Sequence, residues 1–503
     1  MKEWYRKHCM VCTKLKIALL LIILVSASVG YSTLRTLQAA PKGNASVPRY
    51  IFLFIGDGMG PAQVELSSAL LHDEHSFAMT SLPVLGMATT HAANRFITDS
   101  GAAGTALATG CKTTIGTISM EGNHLDTLKT IAEMAKAKGM KVGIVSSVGI
   151  DDATPACFYA HNATRNNLYD IAVQMASSDF DYFGGGYSVG NFPENQAKTK
   201  TFSGDIADLM QSAHYVITHN KTELEAMKPG TRCWAYSNYD TKGALSFAMD
   251  RQTGEIELVE FTREGIRLLD NPKGFFMMVE GGKIDWACHA NDAAAAAHDI
   301  KAFEKAISEA LAFYHRHPRE TLLVVTADHE CGGLSLGRAT SGYETRLDLL
   351  RYQNISQQRF AEKVATWKKQ GAVTFPMALD SVKVYCGPGN VEADSALVLS
   401  DADRNTLQEA YTTTMKAEFS GTKSIDTFTP AISGILNSRA GIGWNSNAHT
   451  AIPVQVFAIG QGADAFKGFY DNTDIANKIM QIARLNKPAK QNDLLHGKSF
   501  SVQ

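Results

Sequence analysis

The sequence predicts an α/β fold: a doubly wound, mostly parallel central sheet with helices on both faces and an inserted, largely helical subdomain. Three observations predict it. Five short runs, Tyr50–Ile55, Lys141–Ser147, Phe275–Val279, Thr321–Thr326 and Val454–Ile459, are almost wholly apolar, as strands buried on both faces are. Helical patterns lie between them, such as Leu128–Lys138 before the second run and Asp292–His315 before the fourth. Alternation of strand with helix is how a parallel sheet is wound. Finally, the first four runs lead directly into acidic residues.

From the N-terminus, Lys2, Arg6, Lys7, Lys14 and Lys16 precede an apolar run, Ile17 to Val25, that continues to Gly30. A basic stretch before a run too short for a membrane span is the pattern of an export signal. Residues 1–30 are therefore expected to be a signal peptide, cleaved near Ser26 and Ser28 or at Ala39-Ala40; an uncleaved N-terminal membrane anchor is the alternative. No cysteine directly follows the run, so lipoprotein attachment is not expected. Residues 31–48 are polar and turn-rich and read as a linker. The bulk of the chain is then periplasmic or extracellular. No other stretch is apolar enough for a span, which excludes a multi-span membrane protein.

The 503 residues carry 48 Lys and Arg against 50 Asp and Glu, a formal net charge of −2. That balance lacks the basic excess of a nucleic-acid binder. Six cysteines follow the signal region: Cys111, Cys157, Cys233, Cys288, Cys331 and Cys386. They are widely spread with no C-x-x-C pair, so a zinc ribbon is not indicated and disulfide pairing cannot be read from the spacing.

The strand ends carry the chemistry. The first run ends in Gly56-Asp57-Gly58, the second leads to Asp151-Asp152-Ala153-Thr154, the third to Glu280 and the fourth to Asp328-His329-Glu330. In open α/β sheets ligands bind beyond the carboxyl ends of the strands. Four strands thus deliver acidic groups to one edge, and metal cations are the simplest compensation for their repulsion. Asp285 and His289 lie one helical turn apart, and His449 precedes the last run. Histidine suits zinc, while carboxylate and hydroxyl oxygens suit magnesium. Singly, an Asp-His pair is more often cap or surface chemistry; the weight lies in the agreement of four strand ends.

Ser100, in Thr98-Asp99-Ser100-Gly101-Ala102-Ala103-Gly104, opens a helix of very small residues. It is the candidate nucleophile, since a helix N-terminus stabilises an anion. The plain alternative is an N-cap with tight packing behind it. There is no G-x-S-x-G elbow and no neighbouring His base, so metal activation suits Ser100 better than a Ser–His–Asp triad. Asp181–Gly186 reads as a structural Gly-rich turn. Cys288 and Cys331 adjoin the candidate ligands; a buried thiol or disulfide is the plainer reading, and extra soft ligands the alternative.

Together these segments resemble the alkaline phosphatase family. D-G-M-G at Asp57, D-S-x-A-x-x-T-A around Ser100, D-A-T-P from Asp152, V-E-G-x-x-I-D with His289 four residues on, T-A-D-H from Thr326 and H-T at His449 occur in the family's order, over Tyr50 to Gly460. The resemblance implies one zinc on Asp285, His289 and His449, and a second on Asp57, Asp328 and His329 beside Ser100. It implies a magnesium on Asp57, Thr154 and Glu280, and a phosphate-clamping Arg165. Asp152 and Trp286 would lie near the third metal and the phosphate; Trp286 stands where some members have Lys or His. The implied activity is hydrolysis of small phosphate monoesters through a phosphoserine, by a homodimer. A phosphodiesterase or sulfatase of the same superfamily, or a non-catalytic metal-binding surface protein, are the alternatives. Ser100-Gly101-Ala102-Ala103-Gly104 lacks the Pro and Arg of a sulfatase motif, and a diesterase would be expected to dispense with Arg165. A catalytic domain is expected over 49–485 and a tail over 486–503. Amphipathic patterns at Leu347–Lys369 and Ala402–Phe419 suggest an inserted subdomain over 338–440, where animal members carry their crown. Scaffold or dimer contact is its expected role, a substrate-gating lid the alternative.

Overall fold

A computed structural model describes residues 47–71, 77–237, 243–417 and 425–486. Within them the chain builds one large sheet: β1 (Tyr50–Gly56), β2 (Val84–Thr89), β3 (Lys141–Ser146), β4 (Tyr182–Gly186), β5 (Val216–Thr218), β6 (Cys233–Ser237), β7 (Phe275–Glu280) and β8 (Thr321–Ala327). A two-stranded ribbon of β9 (Glu330–Cys331) and β10 (His449–Thr450) stands apart, and β11 (Val454–Gly460) and β12 (Gly468–Asp471) return to the sheet. The order is β12-β2-β11-β8-β1-β7-β3-β4-β6-β5. Every pairing in this sheet is parallel except those of β11, which runs against both β8 and β2.

All five apolar runs are strands, and the three at the centre, β1, β7 and β8, are buried at every residue. Alternate side chains leave a strand on opposite faces. Phe275 accordingly meets Phe52 and Phe313 on one face, while its neighbour Phe276 stacks on Phe158 on the other. Layers thus cover both sides, as the uninterrupted apolar runs require.

The helices that position the site are α1 (Ser100–Thr109), α2 (Ala153–Ala156), α3 (Lys283–His289) and the long α4 (Ala293–Arg316). Four more, α5 (Gln357–Gln370), α6 (Phe375–Tyr385), α7 (Asp401–Lys416) and α8 (Phe428–Ala440), close a hydrophobic cluster of their own around Phe360, Val382, Leu407 and Phe428. No described helix is long and apolar enough to cross a membrane. The expected signal or anchor lies outside the described residues, as do most of the expected linker and nearly all of the C-terminal tail.

Three local expectations are corrected. Asp181–Gly186 is not a turn: Tyr182–Gly186 forms β4, parallel between β3 and β6. Its glycines conceal a strand because the backbone there is too crowded for side chains. Gly185 has φ 121°, and a Cβ on it would lie 1.8 Å from the Ser146 carbonyl oxygen. Leu347–Lys369 is not one helix but a short 3₁₀ turn, Leu347–Tyr352, followed by α5. Ser356 starts α5 by accepting from the Arg359 amide, and such a cap overrides a continuous amphipathic pattern. The helix expected from Leu128 begins at Ile131, where Thr130 and Glu133 form a reciprocal capping box.

Candidate metal centre and active site

The site lies at the carboxyl ends of β1, β3, β7 and β8: Asp57 and Asp328–His329 follow β1 and β8 directly, Glu280 is the last residue of β7, and Asp151–Thr154 come shortly after β3. Two strand ends meet through Gly58. Its amide donates to Asp328 Oδ1 at 3.2 Å, and at φ 69° a Cβ would sit 2.8 Å from Asp285 Oδ1. Only glycine lets the loop after β1 come this close to the start of α3.

The Asp285 cluster is built by α3 and β10. His289 Nε2 lies 3.3 Å from Asp285 Oδ2, His449 Nε2 lies 3.5 Å from Asp285 Oδ1, and the two Nε2 atoms are 3.1 Å apart. Each ring's Nδ1 faces a backbone carbonyl, Asn447 O at 2.6 Å for His289 and Thr98 O at 2.9 Å for His449. A ring whose Nδ1–H donates to a carbonyl offers its Nε2 lone pair to a cation, which is how metal-ligating histidines are held. Two such lone pairs face each other across 3.1 Å.

The second cluster is Asp57, Asp328 and His329, all buried. His329 Nε2 stands 3.4 Å from Asp57 Oδ1, 3.3 Å from Asp328 Oδ2 and 3.3 Å from Ser100 Oγ. The His329 and His449 rings stack with centroids 3.6 Å apart, so the two clusters abut. Asp57 also reaches the third expected set, since Thr154 Oγ1 donates to its Oδ2 at 3.3 Å. Glu280, at the end of β7, accepts a short hydrogen bond from Ser146 Oγ on β3.

The metal-free electrostatics are those of a cation site. Burial, reinforced by Asp328, Asp285 and Glu280, pushes the Asp57 carboxyl far above its usual range. Burial does the same to Glu280 and raises Asp328 to about 7. Burial would raise Asp285 too, but its three histidine neighbours hold it low, while the bond to Asp285 lifts His289 to about 9. Buried polar atoms are normally satisfied. Here Asp57 Oδ1, Asp285 Oδ1 and Asp328 Oδ2 have no hydrogen-bond partner. Orphaned carboxylate oxygens beside inward-facing imidazoles fit divalent cations that take mixed N and O donors.

Ser100 begins α1, a helix buried along its whole length. Asp99 caps it, accepting from the Ala102 amide at 3.0 Å, and also accepts from the Gly116 amide. The same carboxylate lies 3.3 Å from Arg165 Nη1, and Asp152 Oδ1 accepts from Arg165 Nη2 at 2.9 Å. The arginine is therefore fixed on two sides, by the neighbour of Ser100 and by the residue two before Thr154. Trp286 is half-buried; Lys283 Nζ lies 4.5 Å from its ring centroid and 3.8 Å from that of Phe247.

A family model described as alkaline phosphatase matches residues 48–485. The chain belongs to the alkaline phosphatase family. Alkaline phosphatase 4 of Bacillus subtilis is 31% identical over 464 residues, spanning 89% of this chain and 92% of that protein. A cold-active alkaline phosphatase from a psychrophilic Shewanella is 30% identical, with TM-score 0.71 over 86% of this chain and 99% of the other. The enzyme from Thermus thermophilus, 24% identical with TM-score 0.73 over 91% of this chain and 98% of its own, shares the fold. As a member of this family the chain is a phosphomonoesterase, and its two buried clusters are candidate metal-binding groups of the kind the family implies.

Sequence reading did not find every alkaline phosphatase site contact. Asp99 was legible as a cap but not as a partner of Arg165, because that pairing joins segments distant in the chain. Ser146 closes on Glu280 across paired strands, a register that no local pattern reveals. Cys288 and Cys331 are buried free thiols, and Cys331 falls within the Asp285 cluster.

Proposed function

We propose that this alkaline phosphatase family member hydrolyses phosphate monoesters through a phosphoserine on Ser100, at a site of two zinc ions and one magnesium ion. Asp285, His289 and His449 would hold one zinc, Asp57, Asp328 and His329 the other, and Asp57, Thr154 and Glu280 the magnesium. The observation that carries the reading is the pair of histidine nitrogens 3.1 Å apart over the Asp285 carboxylate, each ring anchored from behind. When bound, the metals supply Lewis-acid stabilisation of the charge on the transferring phosphoryl group.

The chain's own residues do the rest. Ser100 opens α1, and the positive end of the helix dipole there favours the alkoxide over the hydroxyl. Arg165 directs two parallel N–H donors at two non-bridging phosphate oxygens, and Asp99 and Asp152 hold its plane. In-line attack by Ser100 expels the alcohol and leaves the phosphoryl group on Oγ; water then attacks phosphorus from the vacated side and returns the serine. Ser146 fixes the carboxylate of Glu280.

The architecture supports taking 49–485 as the catalytic domain and 338–440 as an inserted subdomain within it, while 486–503 is taken as a tail from the sequence. The N-terminal sequence supports export, with residues 1–30 a signal peptide or anchor, and the enzyme is taken as a homodimer. One assay tests the catalytic reading. p-Nitrophenyl phosphate should be hydrolysed far faster than its bis ester or the sulfate analogue, chelation should abolish turnover, and zinc with magnesium should restore it. Full activity in protein shown metal-free by elemental analysis, or preference for the diester or sulfate, would refute it.

A further inference from the structure

The cluster at Asp285 contains one more donor than the family resemblance supplies. Cys331 Sγ lies within 4.8 Å of an Asp285 carboxylate oxygen and of a ring nitrogen of both His289 and His449. The placement follows from strand pairing. Cys331 on β9 is the direct antiparallel partner of His449 on β10. Opposed residues in such a pair project to the same side, with their Cβ atoms about 4.5–5.5 Å apart. The register that presents His449 to the cluster therefore presents the sulfur as well.

Two further observations point the same way. Cys331 is fully buried, and its hydrogen-bond partner, the Asp285 carbonyl, is a long 3.9 Å away. In the same cluster Asp285 Oδ1, 3.5 Å from His449 Nε2, is buried with no hydrogen-bond partner. Asp, two His and Cys together form a donor set that zinc accepts, with the soft sulfur excluding harder cations.

Building on the zinc reading above, we propose that Cys331 is a thiolate ligand of the metal held by Asp285, His289 and His449. On loading, the S–H bond breaks, the sulfur electron pair forms the metal–sulfur bond, and one proton leaves for solvent. Catalytic zinc sites keep one position open. A sulfur donor would take the position that such sites otherwise leave to water or substrate, so Cys331 would compete there with phosphate. The thiolate also makes this metal position more selective for zinc and cobalt over magnesium than three N/O donors alone would.

Cobalt(II) spectroscopy on the full-length protein, stripped of metal and reloaded with cobalt alone, tests the proposal. The expected result is an intense near-ultraviolet sulfur-to-cobalt charge-transfer band. It should survive in Cys288→Ser, the neighbouring thiol, and vanish in Cys331→Ser and Cys331→Ala while cobalt stays bound. Zinc retention against a chelator should weaken at least roughly ten-fold in Cys331→Ser, as when groups close to a metal are altered. Should the Cys331 variants fail to fold, the wild-type and Cys288→Ser spectra decide. Cobalt bound without the band, or a band that persists in Cys331→Ser, overturns the inference and leaves the zinc reading intact. No cobalt uptake at all counts against both.

Discussion

Two carboxylates hold Arg165, and that shapes what its removal should do. Arg165→Ala deletes the bidentate donor and leaves Asp99 and Asp152 facing the incoming phosphate uncompensated. kcat/KM for monoesters should fall by roughly 2–4 kcal/mol in transition-state terms, with a much smaller loss for diesters, which have fewer free oxygens to clamp. Equal losses for both substrates would show that the guanidinium does not discriminate. Ser100→Ala should lower kcat by about three orders of magnitude or more while metal content and fold persist, because the cations still polarise phosphate. Acid trapping of labelled phosphate should mark Ser100; label on another residue, with Ser100→Ala active, would refute its role. The candidate site residues stand out in the sequence for a simple reason. A buried strand is apolar to its last residue, so a carboxylate straight after it is conspicuous. Asp57 and Asp328 stand there, and Glu280 is the one charged residue ending β7. Asp99 was not legible as a clamp because a capping residue looks the same whether or not it has a second partner.

At the scale of elements, two carboxylates tie helices to their surroundings: half-buried Asp99 at the start of α1 and buried Glu304 within α4. Asp99→Ala removes the cap of α1 and one support of Arg165. A stability loss of about 1 kcal/mol is expected from the cap alone, together with a raised KM for phosphate esters; a lowered melting temperature with KM unchanged would show that Asp99 is only a cap. On α4, Glu304 accepts from the Ala78 and Met79 amides at 2.7 and 3.1 Å, and burial raises its carboxyl to about 7. A carboxyl raised in the folded state favours folding fully below its ordinary 4.5, and that contribution is lost as pH rises through about 7. Relative to Glu304→Gln, the wild type should therefore lose on the order of 3 kcal/mol between acid and mildly alkaline pH. Denaturant curves at several pH values check this, and parallel profiles for both proteins would refute it. Element positions were legible wherever composition and conformation agree, as in β1, β7 and β8. They were not where packing overrides propensity. β4 is a glycine strand because its neighbours leave no room for side chains, and α5 starts late because Ser356 caps it.

For the whole molecule, metal loading is also folding energy. A cation at about 1,000 times its dissociation constant adds about 4 kcal/mol per site if the unfolded chain does not bind it. Chelation should lower the melting temperature by several degrees, reversibly on adding zinc and magnesium; an unchanged transition would mean that the clusters hold no cation. The parallel winding was legible because helices and apolar runs alternate along the chain. The place of β11 was not, since antiparallel insertion between β8 and β2 depends on segments hundreds of residues apart. That late strand has a consequence for how the enzyme is made. Until it arrives, β2 and β8 each present an open edge, the kind of template through which chains aggregate. The same late stretch carries His449, without which the Asp285 cluster is incomplete. A nascent chain halted before residue 449 is therefore both sticky and short of one residue of the Asp285 cluster, so closure of the sheet and completion of that cluster become a single terminal event in biosynthesis.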